Sequence, residues 1–135
     1  MNGVLVDASA LVGLLDESDA AHPRAVAVLA EIRDPLYSVW PALAEAMHLL
    51  GGAPRGQEAL CDMVEDGVLG LLTLDRTDVG RMKELMRAYR DLPMDFADAA
   101  LVRVAERDGL KRILSFDKHF RVYRLPRRGR FIVVP

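Results

Sequence analysis

The alternation of short apolar runs with longer segments of helical periodicity constrains this fold more than any other sequence feature. Five short runs predict buried strands at residues 4–6, 36–39, 69–74, 112–115 and 131–134. The segments between them predict helices at residues 8–15, 22–32, 41–50, 57–65, 77–89 and 96–107. Strands separated by helices favour βαβ units, a mostly parallel sheet and helices on both of its faces.

Length and composition narrow the class of protein. A chain of 135 residues predicts one domain over residues 1–135, and an apolar fraction of 51% allows a sizeable core. No apolar run approaches the roughly 20 residues of a membrane span, so no membrane partner is expected. Cys61 is the only cysteine, which excludes an internal disulfide, and the N-terminus lacks a basic leader. These features favour a cytoplasmic protein.

Four acidic residues fall where a parallel α/β sheet places its functional site, at the carboxyl ends of the strands. Asp7 ends the first predicted strand, and Asp117 follows the fourth. Glu45 lies in the helix after the second strand, and Asp98 lies near the start of the helix before the fourth. We therefore expect the four side chains to converge.

The apolar surroundings of Asp7, Glu45 and Asp98 make an ordinary surface role a poor explanation for them. A carboxylate facing a core needs protons, hydrogen-bond donors or a cation. Converging carboxylates repel one another, and a divalent cation with oxygen ligands, Mg²⁺ or Mn²⁺, resolves that repulsion. Each acid taken alone has another interpretation: a helix cap for Asp7 or Asp98, an arginine partner for Glu45, and a turn for Asp117.

Four segments, at residues 4–11, 38–45, 94–101 and 113–120, carry a family resemblance. They read VLVDASAL, SVWPALAE, MDFADAAL and ILSFDKHF. In this order and spacing the chain resembles the PIN-domain ribonucleases, and within them the VapC-type toxins of bacterial and archaeal toxin–antitoxin pairs. No single segment is specific, but the ordered set is, and it covers essentially the whole chain.

The resemblance implies a three-layer α/β/α sandwich with a central five-stranded sheet in which the first and fourth strands are neighbours. It implies a metal-dependent endoribonuclease that uses Mg²⁺ or Mn²⁺ to hydrolyse single-stranded or structured RNA. Asp7, Glu45, Asp98 and Asp117 would be the catalytic, metal-binding acids. Three residues, Ser9, Ser115 and Asp95, would support them through hydrogen bonds; Ser115 stands where the family often has Thr, and Asp95 is expected mainly to cap its helix.

The charge distribution suggests a polyanionic or acidic partner. Residues 111–135 contain eight basic side chains and one acid, whereas the rest of the chain is acidic. Five of the basic residues are expected to contact RNA phosphates, namely Lys118, Arg121, Arg124, Arg127 and Arg128. A cognate antitoxin is the alternative partner of this segment, and a solvated hairpin without a partner is the third interpretation.

A homodimer is also expected, from the resemblance and from an apparent surplus of apolar helix residues, at Leu14, Leu15, Val28, Met82, Leu85 and Met86. Other functions fit the sequence less well. A haloacid-dehalogenase-type phosphotransferase would need an acid where Ser9 stands. A receiver domain would use Asp75 as its phosphoacceptor, but it would also need paired acids near the first strand, and the acids there are not paired. A catalytically weak PIN-like module that binds RNA or protein is the main alternative. His119 lies beside Asp117, where contact with substrate is one interpretation and a position without function is the favoured one.

Overall fold

The computed structural model describes residues 1–125 and 129–135. The strands are β1 (Val4–Val6), β2 (Leu36–Ser38), β3 (Leu69–Leu71), β4 (Arg112–Leu114), β5 (Arg124–Leu125), β6 (Gly129–Arg130) and β7 (Ile132–Val134). The helices are α1 (Ala8–Leu15), α2 (His22–Glu31), α3 (Trp40–Leu49), α4 (Pro54–Glu65), α5 (Arg76–Ala88) and α6 (Phe96–Asp108), with a 3-10 helix at Lys118–Arg121. Across this described part, none of the helices combines the length and apolar character that a membrane crossing requires.

The central sheet has five strands in the order β3-β2-β1-β4-β7, and every neighbouring pair is parallel. One hydrophobic core packs α1, α2 and α4 against one face, and a second packs α5 and α6 against the other. The predicted three-layer α/β/α sandwich is confirmed. The expected neighbourhood of the first and fourth strands is confirmed as well, because Val6 of β1 pairs with Leu114 of β4.

Several element boundaries differ from the sequence prediction. β3 ends at Leu71 rather than at residue 74. α4 begins at Pro54, three residues before the predicted start, because proline is well tolerated in a first helical turn, where its missing N–H has no partner to lose. The antiparallel pair β5–β6 was not among the five predicted strands, although a hairpin was one interpretation of the basic segment. Arg127 and Arg128, two of the expected RNA contacts, lie outside the described residues.

The expectation that apolar helix residues exceed the needs of the core is wrong for Leu14, Met82 and Leu85. Met82 and Leu85 are 1% and 3% exposed and belong to the core that packs α5 and α6. Leu14, in α1, is buried in the core on the other face of the sheet. A helix that covers a sheet needs those side chains for its own packing. The large apolar side chains that do reach the surface include Trp40, Val79 and Phe96.

Candidate active site

Asp7 lies at the carboxyl end of β1, where it also caps α1. Its Oδ1 accepts hydrogen bonds from the backbone N–H of Ala10 (2.9 Å) and from Oγ of Ser9 (2.7 Å). Its Oδ2 accepts one from Oγ of Ser115. Burial raises the pKa of Asp7 to about 6, although these hydrogen bonds act in the opposite direction. Asp7 therefore both caps α1 and belongs to the group of acids at this edge of the sheet.

The loop after β4 joins Asp117 to the Asp7 network through two serine hydroxyls. The backbone N–H of Asp117 donates to Oγ of Ser115 (2.9 Å), and that of Phe116 donates to Oγ of Ser9 (2.9 Å). Asp117 then begins the 3-10 helix, since its Oδ1 accepts from the backbone N–H of His119 (2.9 Å). Both serines thus lie where they can fix the geometry of the acids.

Asp98 lies in the first turn of α6, and its backbone N–H donates to Oδ1 of the capping residue Asp95 (2.8 Å). Burial, followed by the charge of Asp95, raises the pKa of Asp98 to about 7. Oδ2 of Asp98 accepts a hydrogen bond from the hydroxyl of Tyr123 (2.9 Å). Burial and the charge of Asp98 also raise the pKa of Tyr123, so this hydroxyl stays protonated and acts as a donor. Tyr123 was missed in the sequence, where it carries no distinguishing signal.

Asp98 and Asp117 come together with His119, for which a position without function was the favoured interpretation. Potential ligand atoms of these three side chains all lie within 4.8 Å of one another. Nδ1 of His119 is 3.4 Å from Oδ1 of Asp117. The only sequence signal for His119 was its position two residues after an acid, which is also typical of a turn.

Glu45 projects from α3 into the same pocket and is partly buried. Burial, followed by the charges of Asp95, Asp7 and Asp117, raises its pKa. Among the described residues it has no arginine partner, so that alternative is not supported. The pocket is lined by Asp7, Ala8, Ser9, Glu45, Leu49, Asp95, Ala97, Asp98, Leu101 and Asp117.

Five of these lining residues are acids, and none of the described lining residues is a lysine or arginine. Asp75, the acid that a receiver domain would use, does not line the pocket. It caps α5 instead, with its Oδ1 accepting from the backbone N–H of Thr77 (2.8 Å). As far as the structure describes the chain, the site is therefore a cluster of carboxylates with no lysine or arginine in its lining, at the carboxyl edge of the sheet.

Two of the predicted RNA contacts meet a basic residue from another part of the chain. Lys118 and Arg121 line a second pocket, on the Asp117 loop, together with Arg24 of α2. Arg124 is exposed, and its guanidinium donates to the backbone oxygen of Val122 (2.9 Å). Arg24 was missed because its proximity to residues 118–121 arises only from helix packing.

The fold and the site together define a parallel α/β protein that gathers acidic side chains at the carboxyl edge of its sheet. The chain belongs to the PIN domain family, whose model matches residues 4–125. A curated relative, Ribonuclease VapC26 of Mycobacterium tuberculosis, is 26% identical over 136 residues, covering 98% of this chain and all of the relative. The crystal structure of Mycobacterium tuberculosis VapC20, described as a sarcin–ricin loop cleaving toxin, superposes with a TM-score of 0.83. The two sequences are 20% identical, and the match covers 98% of this chain and 99% of the VapC20 chain. This similarity supports the assignment of the fold.

Proposed function

We propose that this protein is a metal-dependent endoribonuclease that hydrolyses phosphodiester bonds of RNA. The observation that carries this proposal is the pocket lined by five carboxylates, in which burial raises the pKa values of Asp7 and Asp98 to about 6 and 7. Clustered carboxyl groups whose pKa values are raised in this way can release their protons when a divalent cation binds. Membership of the PIN family and the relative named as a ribonuclease support the same reaction class.

The donor chemistry of the pocket fits Mg²⁺ or Mn²⁺, because its polar lining is dominated by carboxylate oxygen. Asp98 and Asp117, which lie close together, would hold the ion with Asp7, directly or through water. When bound, a divalent ion lowers the pKa of water and stabilises the negative charge that develops on a phosphate under attack. An imidazole is a less usual ligand for Mg²⁺, so His119 is better placed to contact Asp117 or substrate.

The protein's own residues supply orientation and a proton acceptor. Ser9 and Ser115 fix Asp7 through hydrogen bonds, and the cap Asp95 fixes the first turn of the helix that carries Asp98. Glu45, with its raised pKa and partial exposure, can orient the attacking water and accept its proton. The same carboxylate can instead serve a second ion.

We propose further that RNA reaches this pocket along the basic surface formed by Arg24, Lys118 and Arg121. These side chains lie beside Asp117, so a phosphate bound there would belong to a nucleotide near the cleaved bond. On this proposal the protein acts in the cytoplasm.

The relatives also support a biological role, as the toxin of a toxin–antitoxin pair with a cognate antitoxin protein as partner. A homodimer fits the surface of the molecule. Trp40, Val79 and Phe96 are 61%, 47% and 50% exposed, and they line one apolar depression together with Leu72 and Leu74. Aromatic and aliphatic side chains grouped in this way are typical of protein interfaces.

The test is cleavage of a mixed-sequence single-stranded RNA and a structured RNA by the purified protein, with Mg²⁺, with Mn²⁺ and with EDTA. Cleavage should require the ion and should be lost in Asp98→Asn. The matched control is Asp62→Asn, which makes the same change at an exposed position on α4. RNA binding without ion-dependent cleavage would favour the catalytically weak binding module instead.

A further inference from the structure

One buried hydroxyl group reaches the acidic cluster from the core of the protein. Tyr123 is 0% exposed, yet its hydroxyl lies 2.9 Å from Oδ2 of Asp98. Buried tyrosine hydroxyls generally find a hydrogen-bond partner. Here the partner is an acid with a raised pKa rather than a backbone carbonyl, and this acid belongs to the candidate active site.

The position of that hydroxyl is set by packing on the ring. Tyr123 makes edge-to-face contacts with Tyr89 (centroids 5.0 Å apart) and Phe120 (5.2 Å), and Phe120 makes another with Phe131 (5.7 Å). Contacts of this geometry fix both the location and the tilt of the ring. The phenol therefore presents its hydroxyl from a rigid support, in contrast to a mobile surface donor.

Asp98 needs such a support because other carboxylates surround it. The charges of Asp95, Asp117 and Asp7 all act on it unfavourably, and Tyr123 supplies the only side-chain hydrogen bond to its carboxyl group among the described residues. Repulsion from these neighbours would otherwise favour rotation of the carboxylate away from the pocket. A bond to Oδ2 restrains that rotation and leaves Oδ1 available.

We infer that Tyr123 is a positioning residue, which holds Asp98 by Oδ2 so that its other oxygen can bind a divalent cation. This inference rests on the proposed function, since it concerns the cation of the same site. Hydrogen bonds to metal-binding carboxylates typically change metal affinity by 10- to 100-fold when removed. Tyr123→Phe removes the hydroxyl and keeps the ring, so it isolates this hydrogen bond.

The chain offers a matched control in Tyr89→Phe. Tyr89 belongs to the same aromatic cluster, but its hydroxyl accepts from the backbone N–H of Arg124 (2.9 Å). It makes no hydrogen bond to an acid of the site within the described part of the chain. A loss of affinity that came only from a loosened aromatic cluster would therefore appear in both variants.

The experiment is a calorimetric titration of wild type, Tyr123→Phe and Tyr89→Phe with Mn²⁺ in the absence of RNA. Affinity should fall about 10-fold or more in Tyr123→Phe and stay at the wild-type value in Tyr89→Phe. In an Asp98→Asn background, Tyr123→Phe should cause no further loss, since the two residues act through one hydrogen bond. Unchanged affinity in Tyr123→Phe, or an equal loss in Tyr89→Phe, overturns the inference.

A measurement on the wild type keeps the test decisive if Tyr123→Phe does not fold. Binding of Mg²⁺ to Asp98 should alter the hydrogen bond of Tyr123 and shift the tyrosine ultraviolet spectrum in wild type but not in Asp98→Asn. No shift in wild type at saturating Mg²⁺ overturns the role of Tyr123. If wild type binds Mn²⁺ and cleaves RNA, and Tyr123→Phe binds Mn²⁺ equally well, the role of Tyr123 is wrong but the proposed nuclease activity is retained. If wild type binds no ion, both proposals are wrong.

Discussion

Ser115 donates its hydroxyl hydrogen bond to Oδ2 of Asp7 although 108 positions separate the two residues in the chain. The register of the sheet explains the contact. Val6 pairs with Leu114 at the ends of their strands, so the residues that follow them, Asp7 and Ser115, lie at the same edge of the sheet. The same Oγ accepts a hydrogen bond from the backbone N–H of Asp117. One hydroxyl thus connects two acids that follow neighbouring strands.

We predict that Ser115→Ala weakens Mg²⁺ binding about 10-fold, because Asp7 loses a donor that fixes its Oδ2. Ser115→Thr should bind as wild type, since it keeps the hydroxyl. The measurement is the rise in melting temperature on adding Mg²⁺, because the ion increases the free energy of unfolding by RT ln(1 + [L]/Kd).

Ser18→Ala is the control for that comparison. Its hydroxyl donates to Asp16 at an exposed position outside the pocket, so its loss should leave the Mg²⁺-induced rise unchanged. A rise in Ser115→Ala equal to that of wild type would show that this serine does not support metal binding.

The predictable part of the site was the part that depends on strand ends. Asp7 and Asp117 follow neighbouring parallel strands, so their approach required only the correct topology. Asp98 was marked by its apolar neighbours, which show that an acid stands where a core residue would be expected. These features are local in the sequence and do not depend on how the helices pack.

The remainder depends on packing, which periodicity does not encode. Tyr123 reaches Asp98 only because the 3-10 helix turns the chain back beneath α6, and Arg24 joins Lys118 only because α2 packs beside the same loop. Met82 was misjudged for a related reason. An apolar residue on a helix looks the same in sequence whether it faces the sheet or a second molecule.

Without metal, the protein should lose stability as pH rises from about 4 to about 7. The pKa values of Asp7 and Asp98 are raised by burial to about 6 and 7 in the folded protein, against 3.8 for an unperturbed carboxyl. In that interval the unfolded chain releases protons that the folded protein retains, so the free energy of unfolding falls with pH and levels off above it.

Asp98→Asn removes one of the two carboxyl groups with a raised pKa. It should reduce the decrease in the free energy of unfolding between pH 4 and 7 by on the order of 1–3 kcal/mol. The variant should therefore melt at a higher temperature than wild type at pH 8 in EDTA. Thermal unfolding in EDTA between pH 4 and 8 measures this, with Asp62→Asn as the exposed control. A variant that is less stable than wild type at pH 8 would show that the charge of Asp98 does not oppose folding.

The apolar surface formed by Trp40, Val79 and Phe96 predicts a homodimer at micromolar concentration, with twice the 15.0 kDa mass of the chain. Val79→Lys places a charge on that surface and should shift the dimer towards monomer, because burying an unpaired charge is costly. Val68→Lys is the matched control, since Val68 is equally large and also exposed but lies outside this depression.

Light scattering over a range of concentrations measures the mass. A mass of 15.0 kDa throughout the micromolar range would remove the dimer altogether. Equal dissociation of Val79→Lys and Val68→Lys would instead place the interface elsewhere on the molecule.

The basic surface predicts a salt dependence of RNA binding that distinguishes its two possible partners. Arg24 and Lys118 line one pocket on the Asp117 loop, and within the described residues neither side chain forms an ion pair. If both contact phosphate, Arg24→Ala/Lys118→Ala should weaken binding of single-stranded RNA for all sequences alike. Each lost contact should also reduce the slope of log affinity against log salt by about 0.7.

The measurement is RNA binding at several salt concentrations, with Ca²⁺ in place of Mg²⁺ to suppress cleavage. Lys83→Ala/Arg87→Ala is the matched control, because it removes the same net charge from exposed positions on α5, away from the pocket. A change confined to affinity, equal in the two double variants, would reflect net charge alone. If the slope and affinity of Arg24→Ala/Lys118→Ala match wild type while inhibition by an acidic antitoxin weakens, this surface binds the protein partner, and RNA must reach the acidic cluster from another side.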